Sequence, residues 1–127
     1  MIKELISLAL TQSKNAYSPY SKIQIGCACK TKSGKIFVGS NIENASYPLS
    51  TCAERVAITN AVANGEKEID TIVIANEKFY PYPCGACRQI MNEFNKDMKV
   101  IVAKSTTDYQ SFKLSELLPY SFEIKNK

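Results

Sequence analysis

Two short segments constrain this chain more than anything else in it: Thr51-Cys52-Ala53-Glu54-Arg55 and Pro83-Cys84-Gly85-Ala86-Cys87-Arg88-Gln89. Each opens a stretch with helical periodicity, so a fold that uses both must bring two helix N-termini to one place. Residues i and i+3 at a helix start share a face, which lets Cys84 and Cys87 reach a single metal ion. Unpaired N–H groups and a partial positive charge at helix starts favour thiolate over thiol, for Cys52 as well. Three thiolates leave the fourth position of a tetrahedral zinc open, the mark of a catalytic rather than a structural site.

Other readings of these segments are weaker. A C-x-x-C redox pair lacks the aromatic-flanked setting of such motifs and leaves Cys52 unexplained. Cys52 could simply be buried as a small hydrophobe. Cys27 and Cys29 could complete a four-cysteine structural site with Cys84 and Cys87. However, they continue the apolar face of Ile23 and Ile25, so core packing is the expectation.

Glu54 has two explanations. Thr51-x-x-Glu54 has the form of a capping box, in which the carboxylate returns to the cap N–H. With Cys52, Cys84 and Cys87 beside it, a catalytic carboxylate facing metal-bound water becomes the better reading. The chain contains no histidine, which excludes Ser/His and Cys/His nucleophiles and any imidazole ligand. Zinc with three thiolates carries a formal charge of −1 and is a poorer acid for its water. Arg55 and Arg88, and more weakly Gln89, are candidates to hydrogen-bond the sulfurs and withdraw charge. Arg55 is preferred over the alternative of a surface ion pair.

The remainder of the chain reads as an α/β fold. Ile2, Leu5, Ile6 and Ala9 predict a helix over 2–14, broken at Ser18-Pro19-Tyr20. From Lys22 the period is two, with Ile23, Ile25, Cys27 and Cys29 on one face. A turn at 32–35 and a strand over 35–39 make a hairpin. A polar loop over 41–49 precedes a helix capped by Ser50 or Thr51 and ended by Gly65. Buried strands follow at 71–75 and 99–103. Between them, a loop over 76–83 leads to a helix from Cys84 with Cys87, Ile90, Met91 and Phe94 on one face. These make the order αββαβαβ, followed by an edge strand at 109–113 and a helical turn at 115–118. Such alternation predicts a mixed sheet of about five strands covered by helices on both faces, a three-layer αβα sandwich.

At 127 residues, the chain has room for one domain over 1–127 and one core. A net charge of +4 with dispersed lysines argues against nucleic-acid binding. No apolar run approaches the ~20 residues that span a bilayer. The N-terminus lacks the layout of a secretory signal, so a cytoplasmic location is expected. Thiols stay reduced there, and five cysteines do not pair evenly.

C-x-E with a downstream P-C-x-x-C is the general signature of zinc nucleobase deaminases, here with cysteine at the position that is usually histidine. Together with Tyr17-Ser18-Pro19-Tyr20-Ser21-Lys22, Asn41-Ile42-Glu43-Asn44-Ala45-Ser46-Tyr47 and Leu117-Leu118-Pro119, it makes the chain resemble the small homotetrameric zinc-dependent cytidine deaminases. The resemblance runs from the first helix to about Phe122.

It implies hydrolytic deamination of cytidine and deoxycytidine to uridine and deoxyuridine plus ammonia, as in pyrimidine salvage. One zinc per chain would activate water for attack at C4, with Glu54 as proton shuttle. It further implies that Asn41 and Glu43 hold the ribose hydroxyls and that the Ala53 N–H holds the base carbonyl. Tyr47 and Phe122 would reach the sites of neighbouring subunits. Ile23 stands where this family commonly has phenylalanine against the pyrimidine, so apolar contact is kept and stacking lost.

Overall fold

The computed structural model describes residues 1–125; Lys125-Asn126-Lys127 reads as a polar tail in the sequence, and its last two residues lie outside the described ones. The elements are α1 (Ile2–Ser13), β1 (Gly26–Thr31), β2 (Ile36–Ser40), α2 (Ala53–Ala63), β3 (Ile69–Ala75), α3 (Gly85–Phe94), β4 (Lys99–Ala103), β5 (Tyr109–Lys113) and α4 (Leu114–Leu117). The strands form one sheet in the order β2-β1-β3-β4-β5. Only β3 and β4 run parallel; the other neighbours are antiparallel. The expected αβα sandwich with a mixed five-stranded sheet is what the chain forms.

Alternation along the central strands explains the layers. Ile72, Ile74, Val100 and Val102, with Cys27 and Cys29 of β1, point to the face covered by α2 and α3. Val73, Ala75, Ile101 and Ala103, with Ala28, point to the opposite face, against Leu5, Ile6 and Ala9 of α1. Both faces are therefore dry, which is why β3 and β4 are continuous apolar runs rather than alternating ones. Cys27 and Cys29 are fully buried in this core, as their alternation predicts.

Two of the boundary differences bear on the site. β1 begins at Gly26, not Lys22, so Ile23 and Ile25 precede the sheet. Lys22 adopts a left-handed conformation (φ 62°). Past it, the Asn41 side chain holds the segment, accepting from the Ile25 N–H at 2.9 Å and donating to the Ile23 carbonyl at 2.8 Å. Ile23 is consequently 43% exposed. The second difference is the start of α2. Thr51 pairs its backbone with Ile42, in both directions, at 2.8 and 2.9 Å. That bridge keeps Thr51 extended and moves the cap to Cys52. Within the 41–49 loop, Tyr47–Leu49 forms a single 3₁₀ turn. No helix among the described residues is long and apolar enough to cross a membrane.

Candidate metal centre

Cys52 is the N-cap of α2 and Cys84 the N-cap of α3, while Cys87 lies three residues further along α3. Their three Sγ atoms lie within 4.8 Å of one another, the only such metal-competent group among the described residues. Neither cap side chain is spent on a helix N–H. Two helix starts thus aim their unpaired N–H groups and positive dipole ends at three sulfurs. A soft, three-sulfur donor set converging on one point fits zinc, with a position left for water. Cys27 and Cys29 stay in the core, where the Cys29 thiol faces the Ala57 carbonyl at 3.8 Å.

Electrostatics within the cluster are strongly coupled. The Cys87 thiol donates to Cys52, which, with help from Cys84 and the charge of Arg55, brings the Cys52 pKa down to about 7. The same hydrogen bond, together with burial, pushes Cys87 well above the ordinary thiol range. The surroundings of Cys52 therefore favour its thiolate, the form that a cation needs.

Glu54, one residue into α2, is 5% exposed. No side chain caps α2, so the capping-box reading of Thr51 and Glu54 does not hold. Burial raises the Glu54 pKa, against opposing hydrogen bonds from its own N–H and from the Cys87 thiol. A carboxylate so placed holds a proton more readily than an exposed one, which suits a group that takes up and returns protons. Gly39 of β2 makes this placement possible. A Cβ there would stand 2.7 Å from the Ala53 carbonyl oxygen and 2.5 Å from the Ala57 nitrogen, so the first turns of α2 lie directly on the strand.

A cleft of about 360 Å³ opens over Cys52, Glu54 and Cys84. Ile23, Asn41, Glu43 and Ala53 line it, so these sequence-predicted residues share one space with the cysteines. Glu43 Oε1 accepts the N–H groups of Tyr20 (3.0 Å) and Ser21 (3.1 Å), and Oε2 accepts the Ser21 hydroxyl. The Ser21 hydroxyl is the main reason that the Glu43 carboxyl is held below its ordinary range. Asn41 bonds across to residues 23 and 25, while Asn44 makes a local turn in which its Oδ1 accepts the Ser46 N–H at 2.8 Å.

Other predicted residues lie elsewhere. Tyr47 is 71% exposed and packs edge-on against Tyr20, with ring centres 6.1 Å apart. Phe122, also 71% exposed, does not line the cleft of its own chain. Gln89 donates its amide to the Phe122 carbonyl at 3.0 Å and so anchors the C-terminal segment. Arg88 is spent likewise, on the carbonyls of Pro83 and Leu117, both at 2.8 Å. Arg55 makes no ion pair among the described residues, and its charge favours the Cys52 thiolate against the opposing charge of Glu54. Sequence reading missed Ser21 as the partner of Glu43, and Phe79, Pro81 and Tyr82 as walls of the cleft. Ser21 sat in a quoted motif without a role, and the aromatic cluster at 79–82 was the one signal for the wall.

Residues 1–104 match the family described as the cytidine and deoxycytidylate deaminase zinc-binding region. The chain belongs to this family. It is 44% identical over 124 residues to the cytidine deaminase of Halalkalibacterium halodurans, covering 96% of this chain and 94% of that protein. It is 43% identical over 125 residues to a probable cytidine deaminase of Dictyostelium discoideum, with 95% and 83% covered. Among solved structures, the cytidine deaminase of Burkholderia pseudomallei superimposes with a TM-score of 0.88 at 40% identity, covering 94% of this chain and 97% of that one. The family match contains both cysteine segments, and Cys52, Cys84 and Cys87 are the cluster in this deaminase-family chain that fits its zinc.

Proposed function

We infer that the chain is a zinc-dependent cytidine deaminase that converts cytidine and deoxycytidine, with water, to uridine and deoxyuridine plus ammonia. The observation that carries this is one buried carboxylate, Glu54, beside three converging sulfurs at the floor of an apolar cleft. Cys52, Cys84 and Cys87 hold the zinc, which supplies Lewis acidity that makes water nucleophilic near neutral pH. Glu54 takes a proton from the attacking water and passes it to ring N3; it then takes the proton of the new C4 hydroxyl and delivers it to the amine as the C4–N bond breaks. Its raised pKa suits a group that must serve as base and then as acid.

The remaining residues bind and orient. The Ala53 N–H, unpaired at the start of α2, donates to the base carbonyl. Glu43 is charged and held by three donors, yet keeps lone pairs for a ribose hydroxyl; Asn41 keeps one amide hydrogen and one lone pair. Ile23 gives apolar contact to the pyrimidine. Arg55 offsets the negative charge of three thiolates. Tyr47 and Phe122, exposed here, complete the clefts of neighbouring copies in a homotetramer.

The whole chain acts as one catalytic domain on small nucleosides in pyrimidine salvage. Its free thiols suit the reducing cytoplasm, and neither nucleic acid nor membrane is a partner. The test is absorbance and ammonia release with zinc-loaded protein on cytidine, deoxycytidine, cytosine, CMP and adenosine. Turnover of the first two and not of adenosine is expected; failure to consume cytidine refutes the assignment.

A further inference from the structure

One aromatic ring in the cleft has no part in the chemistry above. Phe79, in the loop between β3 and α3, lines the cleft and is 41% exposed. The rings around it are already engaged. Tyr82 donates its hydroxyl to Gln110 at 2.7 Å and packs on both Tyr80 and Phe112, with ring centres 6.2 Å apart in each pair. Phe79 makes no ring pair among the described residues. A large apolar ring facing water in a cleft gains from being covered, most of all by a flat heteroaromatic partner.

The backbone under Phe79 is held firmly. Asn76 is 6% exposed. Its Oδ1 accepts the N–H groups of Lys78 (2.8 Å) and Phe79 (3.1 Å), and its Nδ2 donates to the Gln24 carbonyl at 2.7 Å. The Asn76 N–H donates to the Ala103 carbonyl at 3.1 Å, at the end of β4. One buried amide therefore ties the loop that carries Phe79 to the segment that carries Ile23. These two side chains are also the ones shared between the cleft and a neighbouring cavity of about 230 Å³. They form a joint wall with free space behind it, so the ring can adjust to a ligand without disturbing the core.

We propose that Phe79 is a substrate-contacting, specificity-determining residue that packs its ring against the bound nucleoside, with Asn76 as its positioning residue. The proposal rests on the cytidine deaminase reading given above. Ring packing of this kind contributes binding equivalent to about a 2- to 10-fold change in affinity.

The test is steady-state kinetics on zinc-loaded wild type, Phe79→Ala, Phe79→Leu and Phe79→Tyr, with the assembled mass of each measured by sedimentation. For Phe79→Ala, KM for cytidine should rise about 2- to 10-fold while kcat stays within about twofold. Phe79→Leu should fall between the two, and Phe79→Tyr should restore the wild-type KM at unchanged mass. An unchanged KM in Phe79→Ala, or Phe79→Leu equal to wild type, overturns the contact. A KM that rises only together with a change in mass also overturns it, placing Phe79 between chains. If the wild type itself fails to deaminate cytidine, the underlying activity is refuted and this proposal with it; wild-type turnover with an indifferent Phe79→Ala refutes the proposal alone.

Discussion

Replacing Gly39 with alanine tests how the fold sets the site. The new Cβ would stand 2.5 Å from the Ala57 nitrogen, 2.7 Å from the Ala53 oxygen and 2.9 Å from the Val56 Cβ. Ordinary contact begins at 3.4 Å, so α2 must retreat by about 0.9 Å from β2. Two of the three neighbours are backbone atoms, which cannot swing aside. Overpacking of this kind costs about 1–3 kcal/mol. With an unfolding entropy of about 2.1 cal/mol/K per residue, that corresponds to a Tm lower by about 4–11 °C.

The retreat also moves the turn that carries Cys52 and Glu54. Misplacement by about 1 Å costs up to about 100-fold in rate, so kcat should fall about 10- to 100-fold well below the Tm. Gly85→Ala is the matched control. Gly85 lies between the cysteines, yet a Cβ there meets nothing within 4 Å and its φ is not in the left-handed region. Alanine at this helical position should be neutral or stabilising by up to about 1 kcal/mol, with metal and turnover retained. Calorimetry, zinc analysis and cytidine kinetics on both variants decide the matter. A Gly39→Ala protein with wild-type Tm and kcat, or a Gly85→Ala protein that loses zinc, would refute the reasoning.

The remaining variants probe separate parts of the account. Cys27→Ser buries a hydroxyl in the core and should cost about 1–3 kcal/mol while zinc stays at one per chain; Cys87→Ser should lose the metal, and the opposite pattern by zinc analysis would move the site. Ser21→Ala removes the main cause of the low Glu43 pKa. A depressed carboxylate pKa keeps the charged, hydrogen-bonded form above the ordinary value of 4.5 and loses it only as pH falls through the lowered value. The variant should therefore take up the Glu43 proton at higher pH, closer to 4.5, in a carboxyl-carbon NMR titration. An unmoved titration contradicts the role given to Ser21.

Local chemistry made much of this protein readable. Cys52, Cys84 and Cys87 announce themselves because each is tied to a helix start, a short-range property. β3 and β4 are legible because burial on both faces leaves no polar position, and Cys27 and Cys29 because strand alternation continues through them. What failed depended on contacts between distant residues. The bridge from Thr51 to Ile42 moved the helix cap, and the Asn41 side chain drew Ile23 out of the strand. Gln89 reads as a neighbour of the last cysteine, but its amide turns to Phe122. The wall built from Phe79, Pro81 and Tyr82 lies in a loop with no periodicity to read. The ribose role proposed for Asn41 and Glu43 rests on resemblance, because nothing in their spacing marks them as a site.

The account stands on Glu54 acting as the proton carrier beside the three cysteines. Its most direct test is cytidine turnover by zinc-loaded Glu54→Gln, with metal content measured on the same sample. The predicted result is one zinc per chain, an unchanged fold and a kcat lower by about 10²- to 10⁴-fold. A variant that binds zinc normally and deaminates cytidine within about tenfold of wild type, outside that range, would contradict it.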